Sequence, residues 1–148
     1  MYQTLYRKYR PLNLDEVVGQ QVIVKTLKNA ILNNQLSHAY LFTGPRGTGK
    51  TSMAKLLAKA LNCEEGLGHQ CNHCSNLNDT TPCNECVNCT QNLNQPVDII
   101  EIDAASNNGV DEIRELKSKV NLVPTINKYK VYIIDEVHML TTGAFNAL

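Results

Sequence analysis

The feature that most limits the fold of this chain is a glycine-rich stretch at residues 44–51, which reads G-x-x-x-x-G-K-T. Glycines allow the backbone to curl until several N–H groups point at one anion. A helix that begins at about Gly49 adds its positive dipole end to the same anion. The stretch therefore predicts a loop that binds phosphate groups, in which Lys50 reaches the β- and γ-phosphates and the Thr51 hydroxyl ligates Mg²⁺.

Both flanks of this stretch have the composition that a phosphate-binding loop requires. Residues 39–42 form a short apolar and aromatic run, which predicts a strand. After the loop, apolar residues recur every three or four positions, which predicts a helix with one apolar face: Met53, Leu56, Leu57, Ala60 and Leu61. Strand, glycine loop and helix in this order favour a P-loop over a chance glycine-rich turn.

The composition limits the compartment and the kinds of partner expected for this protein. Of 148 residues, 43% are hydrophobic and 19% are charged, which is typical of a globular domain. The 14 basic and 14 acidic residues cancel, so any contact with DNA must be local. The chain has no apolar run of membrane-spanning length, and residues 1–10 lack the apolar core of a secretory signal. We therefore expect a cytoplasmic protein without membrane contact.

A second chemical motif lies at residues 131–136, where an apolar, β-branched run ends in Asp135 and Glu136. Such a run is typical of a buried parallel strand whose carboxyl end opens on a ligand crevice. There Asp135 can hold Mg²⁺, directly or through water, and Glu136 can polarise the attacking water. The alternative is a strand that ends in two solvated acids, which the upstream P-loop disfavours.

Hydrophobic periodicity predicts the remaining elements. A helix from Gln20 ends at residues 33–34, and its apolar face comprises Ile23, Leu27, Ala30 and Ile31. Residues 98–103 predict a strand. The helix after it is capped by Asn107 or Asn108, with Asp111 and Glu112 in its first turn and an apolar face of Ile113, Leu116 and Val120. A last helix begins at Thr142, and the chain stops within it, as expected for the front portion of a larger protein.

All the cysteines lie in one polar segment that cannot form an apolar core. The six positions are Cys63, Cys71, Cys74, Cys83, Cys86 and Cys89. The C-x₂-C-x₂-C spacing at residues 83–89 predicts a metal site, and the pair at residues 71 and 74 adds ligands. Zinc is favoured because four thiolates complete a closed tetrahedral site. An iron–sulfur cluster and a disulfide knot are the alternatives.

Together these motifs resemble the gamma/tau family of bacterial DNA polymerase III, the ATPases of the sliding-clamp loader. The resemblance covers the arm at residues 6–11 and 17–20, residues 38–52 with the P-loop, residues 60–63, the last three cysteines, residues 100–114 and residues 131–140. It leaves out the insert between Cys63 and Cys83. Arg46, where many related ATPases carry a second proline, and the cysteine insertion favour this family over the wider AAA+ group.

The resemblance implies an α/β fold of the AAA+ class: a truncated P-loop core with a parallel sheet flanked by helices in three layers, and a small inserted zinc-binding module. We expect residues 1–35 to form the N-terminal arm and helix, residues 36–148 the incomplete ATPase core, and residues 63–95 the zinc module. A sensor residue, a lid domain and an arginine supplied to a neighbour's site would all lie beyond Leu148.

The resemblance also implies the site residues, with the adenine near Arg10, Pro11 and Val18, and Lys50 and Glu136 as the catalytic residues. The nucleotide-binding set is Arg10, Pro11, Val18, Gly44, Pro45, Arg46, Gly47, Thr48, Gly49, Lys50, Thr51, Ser52 and Asp135. Mg²⁺ is expected at Thr51 and Asp135. The zinc set is Cys63, Cys83, Cys86 and Cys89, and four further residues depart from the family pattern: Cys71, Cys74, His69 and His73.

The implied function is ATP binding and hydrolysis by a DNA polymerase III subunit that opens the sliding clamp and loads it onto primed DNA during replication. Implied partners are the other subunits of a hetero-oligomeric ring, the clamp, primed DNA and, through segments outside this chain, the polymerase core. In the family, the turn equivalent to residues 107–109 faces the duplex. Here it opens a helix whose N–H groups suit a phosphate, but it carries no Lys or Arg.

Three other interpretations of the same motifs remain open. The sequence from Asp135 to His138 resembles the DExH box of helicases, in which His138 would couple hydrolysis to strand movement, although that group lacks the cysteine insert and the arm. An assembly subunit that binds nucleotide without hydrolysis would not need Lys50, Thr51 or the two acids intact. A ring helicase of branch migration shares the AAA+ core but should lack the cysteines.

Overall fold

The computed structural model describes residues 9–63, 82–84, 86, 88–90 and 98–148, which divide into two compact units at residues 94 and 95. The helices are α1 (Gln21–Leu32), α2 (Lys50–Asn62), α3 (Val110–Val120) and α4 (Thr142–Ala147), and the strands are β1 (Ile99–Asp103) and β2 (Val131–Asp135). A 3-10 turn spans Val137–Met139. Within these ranges, no helix is long and apolar enough to cross a membrane.

Helix α1 ends where the paired asparagines predicted that it would. Asn34 takes the left-handed conformation, with φ of 52°. Its N–H donates to the Ile31 carbonyl at 3.1 Å, and the Gln35 N–H reaches back to Ala30 at 2.9 Å. This pair of hydrogen bonds is a Schellman motif, which satisfies the last carbonyl groups of the helix.

The buried stripe of α1 differs slightly from the predicted one. Leu27 and Ile31 are buried as expected, but Val24 is the third buried residue and Ile23 is 42% exposed. Residues 24, 27 and 31 follow the helical repeat as closely as the predicted set does, so sequence spacing alone could not separate them. The preceding turn is held to α1 by the Lys28 ammonium, which lies 2.6 Å from the Asp15 carboxylate.

Helix α2 has the predicted apolar face. Met53, Leu56, Leu57, Ala60 and Leu61 are each at most 9% exposed. The burial continues to the end of the helix, where Asn62 and Cys63 are also buried. The carboxyl end of α2 is therefore enclosed by protein, while its amino end opens on the P-loop.

The strand predicted for residues 39–42 is not formed. These residues have irregular structure, and Leu41 is 77% exposed. A strand needs a hydrogen-bonded neighbour and a surface to cover its side chains, and in the described residues the sheet contains only β1 and β2. Local composition favoured a strand here, but composition does not supply the partner.

The second unit is built on a parallel pair, as predicted for this class of fold. β1 and β2 run parallel with α3 between them in the chain, and their register places Ile99 beside Val131 and Asp103 beside Asp135. Both strands therefore end at one edge of the sheet. Burial is lighter than expected for a core strand, because Ile133, at 7% exposed, is the one buried residue of β2.

Helix α3 begins one position later than the predicted caps allow. Its N-cap is Gly109, and the side chain of Asn107 instead donates to the Asp103 carbonyl at 3.0 Å. Asp111 and Glu112 occupy the first turn as expected. Ile113 is 1% exposed, but Val120 is 47% exposed, so the apolar face does not extend to the last residue.

A small core joins α3, α4 and the end of the sheet. Its buried members are Ala104, Ile113, Leu140 and Ala144. Thr141 caps α4 by accepting the Ala144 N–H at 3.3 Å, and its own N–H and hydroxyl both donate to the Asn108 carbonyl. The turn before α3 and the turn before α4 are thus fastened to each other.

Candidate functional site

The P-loop has the curled backbone that the glycine pattern predicts. Gly47 and Gly49 have φ of 85° and 84°, a conformation that costs other residues about 1 kcal/mol or more. Gly49 is the residue directly before α2, so the loop passes straight into the first helical turn. The Thr48 hydroxyl donates to the Pro45 carbonyl at 3.0 Å and closes the curl.

Lys50 is folded back over this loop. Its ammonium donates to the Gly44 carbonyl at 2.9 Å and to the Pro45 carbonyl at 2.8 Å. The charge is therefore held at the mouth of the loop and not extended into solvent. Thr51 and Ser52 follow in the first turn of α2 and are both half-buried.

The residues expected near the adenine lie in the same unit as the P-loop. Arg10 and Pro11 are half-buried, whereas the Val18 side chain is 94% exposed. Arg46, in the middle of the loop sequence, is exposed.

Asp135 and Glu136 lie in the second unit, at the carboxyl end of β2. Asp135 is half-buried, and its Oδ1 accepts the Glu136 N–H at 3.0 Å. Glu136 is left-handed, with φ of 51° and ψ of 41°. A non-glycine residue in this region carries strain of about 1–3 kcal/mol, and such residues cluster at functional sites. The turn therefore fixes the direction in which the Glu136 side chain leaves the strand.

His138 forms a side-chain contact with Glu136. Its Nδ1 lies 3.4 Å from a carboxylate oxygen of Glu136. Both side chains are more than half exposed, so this contact is a weak surface pair.

The four cysteines expected to bind zinc converge on one point. The sulfur atoms of Cys63, Cys83, Cys86 and Cys89 all lie within 4.8 Å of one another. Cys83 Sγ lies 3.6 Å from Cys63 Sγ and 4.0 Å from Cys89 Sγ. In a tetrahedral zinc site with Zn–S bonds of about 2.3 Å, neighbouring sulfurs lie about 3.8 Å apart. These four positions therefore fit a zinc ion.

None of these four cysteines is in a disulfide, which requires sulfur atoms at about 2.05 Å. Backbone N–H groups instead point at the sulfurs: Cys86 donates to Cys83 Sγ at 3.2 Å, and Cys89 donates to Cys86 Sγ at 3.3 Å. The hydrogen bond with Cys63 and burial raise the pKa of Cys89. The additional Cys71, Cys74, His69 and His73 lie outside the described residues.

One structural carboxylate was not predicted from the sequence. Asp98 is 1% exposed, and it accepts backbone N–H groups from Thr125, Ile126 and Asn127 at 2.8–2.9 Å. Burial by itself raises the pKa of Asp98, but these three donors and the charge of Lys130 outweigh it and hold the pKa below its usual range. The sequence pattern did not show this role of Asp98, because the residues that donate to its carboxylate lie 27 to 29 positions away in the chain.

The carboxylate of Asp103 organises the turn after β1. It accepts the Ala105 N–H at 2.9 Å and the Ser106 hydroxyl at 2.8 Å. Since Asp103 pairs with Asp135 in the register, both strands end in an aspartate that holds the following turn.

A glycine loop that starts a helix and a parallel β-α-β unit later in the chain are both parts of P-loop α/β proteins, although the strand that precedes the loop in that class is not formed at residues 39–42. Residues 19–148 match the family model described as DNA polymerase III, delta subunit, and the chain belongs to this family.

The chain is also similar to named subunits of the same polymerase. It is 57% identical to DNA polymerase III subunit tau of Bacillus subtilis, over 99% of this chain and 24% of that protein. It is 48% identical to subunit tau/gamma of Haemophilus influenzae, over 99% of this chain and 20% of the relative. For subunit tau of Escherichia coli the identity is 47%, over 99% of this chain and 21% of the relative. The expected resemblance to gamma/tau subunits is confirmed, and the chain spans about a quarter or less of their length.

Proposed function

We propose that this chain is the ATP-binding and ATP-hydrolysing part of an AAA+ clamp-loader subunit. In this role the subunit opens the sliding clamp and loads it onto primed DNA during replication in the cytoplasm. The observation that carries the proposal is the P-loop, in which left-handed Gly49 starts α2 and the Lys50 ammonium lies at the loop mouth. The similarity to tau and gamma subunits supports the same role.

The phosphates of ATP are bound by the loop and by the first turn of α2. The curled loop directs backbone N–H groups at the phosphates, and the helix dipole adds positive potential there. When ATP binds, the Lys50 ammonium leaves its two carbonyl acceptors and donates to phosphate oxygens instead. Its hydrogen bonds to the charged phosphates are stronger than those to the neutral carbonyls. Arg10, Pro11 and Val18 hold the adenine, and the remaining loop residues with Ser52 complete the nucleotide site.

Thr51 and Asp135 are the proposed holders of Mg²⁺. Hydroxyl and carboxylate oxygens are the donors that this hard cation prefers. When bound, Mg²⁺ neutralises the charge that develops on the phosphates. Glu136 acts as the base that orients the attacking water, and its left-handed backbone sets the position of its carboxylate.

The four clustered cysteines are the proposed ligands of a structural zinc ion. Four thiolates leave no open coordination position for water, so this metal supports the fold and takes no part in hydrolysis. We propose that the zinc module is the insertion at residues 63–95, within an ATPase core that covers residues 36–148 and follows the arm and helix at residues 1–35.

We propose for this subunit the partners that its resemblance to clamp-loader subunits implies. They are the other subunits of a hetero-oligomeric ring, the sliding clamp, primed DNA and the polymerase core.

The turn at residues 107–109 is the proposed DNA contact of this chain. Because Asn107 already donates to Asp103, Asn108 is the better position at which to test it. Asn108→Asp in the assembled loader should weaken DNA binding and leave ATP binding intact.

Nucleotide binding is tested on the full-length protein that carries this chain. We expect Lys50→Ala to abolish ATP binding, because it removes the cation at the loop mouth. Lys55→Ala, from the same helix, is the matched control and should bind ATP as the parent does. Unchanged affinity in Lys50→Ala, measured by titration with a fluorescent ATP analogue, would reject the proposed site.

Hydrolysis is tested in the complete ring, with clamp and primed DNA present. A neighbouring subunit's arginine is worth about 10³–10⁵ in rate, so isolated subunits are a poor test. Glu136→Gln should stop turnover while ATP binding persists. Binding without turnover in the parent ring would instead identify a non-hydrolysing assembly subunit.

A further inference from the structure

We infer that Lys59 and Asn84 form a polar link that fastens the cysteine centre to the carboxyl end of α2, so that metal binding and the last turn of the P-loop helix stabilise each other. This inference rests on the proposed zinc centre and goes beyond its ligands. Neither residue is a metal ligand, and neither was singled out by the sequence patterns.

Asn84 is the centre of the link. It directly follows Cys83, and its side-chain Oδ1 accepts a hydrogen bond from the Lys59 ammonium. Its Nδ2 donates to the Pro82 carbonyl at 3.2 Å. Its backbone N–H faces the Cys89 sulfur. One residue therefore contacts the helix, the turn and a cysteine of the centre.

The backbone of Asn84 explains the residue type. Asn84 is left-handed, with φ of 62°. Asparagine tolerates this conformation better than most residues, and it also supplies both a donor and an acceptor. Glycine would take the same conformation but would lose the contacts to Lys59 and Pro82.

The charge of Lys59 interacts with both the end of α2 and the cysteine centre. It lies in the last turn of α2, where a cation interacts favourably with the helix dipole. The cysteine centre begins at Cys63, immediately after the helix. A zinc ion with four thiolates carries a net negative charge, so a nearby ammonium stabilises the metal-bound form.

The end of α2 supports the same conclusion. Asn62 and Cys63 are 2% and 3% exposed, and the helix ends at Cys63 in an extended conformation, with ψ of 125°. The buried helix end is thus continuous with the first metal ligand. Anything that binds only the folded centre must also stabilise this last turn, by linkage.

The experiment measures zinc affinity of the full-length protein by competition with a chromogenic chelator. Partners that surround metal ligands typically contribute about 10–100-fold in metal affinity, and we expect Lys59→Met to lose that amount. Lys59→Arg keeps a cationic donor and should restore most of the affinity. Asn84→Gly keeps the backbone conformation and should weaken zinc binding as Lys59→Met does. Lys25→Met, the same change on exposed Lys25 of α1, should have no effect.

Amide hydrogen exchange supplies a second measurement. In zinc-bound Lys59→Met, the last turn of α2 should exchange faster than in the zinc-bound parent. Parent-like zinc affinity and exchange in both Lys59→Met and Asn84→Gly would overturn the link while leaving the zinc centre in place. A parent protein that binds no zinc would overturn the centre itself, and with it this inference.

Discussion

The Asp98 carboxylate accepts the backbone N–H of Ile126 at 2.8 Å and thereby anchors the loop before β2 to the start of β1. Asp98→Asn keeps the size of the side chain but removes its charge and turns one acceptor into a donor. We expect a loss of about 1–3 kcal/mol in the free energy of unfolding, measured by urea titration. Asp111→Asn, on a side chain that is 92% exposed, is the control and should change stability little.

The same carboxylate predicts an acid dependence of stability. The pKa of Asp98 is lowered in the folded state, so its contribution is complete above its unfolded pKa of about 3.9 and is lost as the pH falls below that value. The difference in unfolding free energy between the parent and Asp98→Asn should therefore be largest at neutral pH and shrink below about pH 4. A difference that is constant across this range would show that the charge of Asp98 is not what anchors the loop.

A larger side chain at position 143 is predicted to disturb the packing between α3 and α4. A Cβ added at this position would lie 2.9 Å from Val110 Cγ2, and valine has little freedom to rotate away. We expect Gly143→Ala to destabilise the protein by about 1–3 kcal/mol, although alanine favours the helix. In the background of Val110→Ala the same substitution should be neutral or stabilising. A thermal-unfolding cycle of the four proteins measures this coupling, and purely additive effects would contradict the contact.

Much of the fold was predictable because the spacing of apolar residues in a helix or strand is visible in the local sequence. The apolar spacing from Met53 to Leu61 located α2, and the β-branched run before Asp135 located β2. The C-x₂-C-x₂-C spacing likewise identified three residues that the structure brings together with Cys63. These features depend on neighbours within a few positions, so the sequence displays them directly.

Other features depended on contacts that local sequence does not display. Asn107 or Asn108 was predicted to cap α3, but the Asn107 side chain closes the turn at Asp103, and the helix begins after Gly109. The run at residues 39–42 had strand composition without a strand beside it in the described residues. Asp98 was placed in a strand, yet its role is set by three N–H groups far along the chain. In each case a tertiary partner decided the outcome.

Substitution of Gly49 is predicted to weaken nucleotide binding by changing the backbone conformation alone. Its φ is 84°, and an added Cβ would meet no atom within 4 Å, so Gly49→Ala introduces conformational strain without a clash. We expect a loss of about 1 kcal/mol or more in stability, together with much weaker ATP binding, because the loop must change its curl. Asn34→Ala, at the left-handed end of α1, should also lower stability but should leave ATP affinity unchanged. Equal ATP affinity in both variants would contradict the role of Gly49.

The cysteines predict which residues carry the metal. We expect one tightly bound zinc ion per chain, held by the four clustered sulfurs. Cys83→Ser should lose the zinc and lower the melting temperature, because the binding free energy of a structural metal contributes directly to folding. A chelator should have the same effect on the parent. The control variant Cys71→Ser/Cys74→Ser removes two thiols, against one in Cys83→Ser, but leaves all four clustered positions intact, so it should retain the full zinc content by elemental analysis. If the double variant loses zinc while Cys83→Ser keeps it, the ligand set is wrong and the metal lies on the other pair.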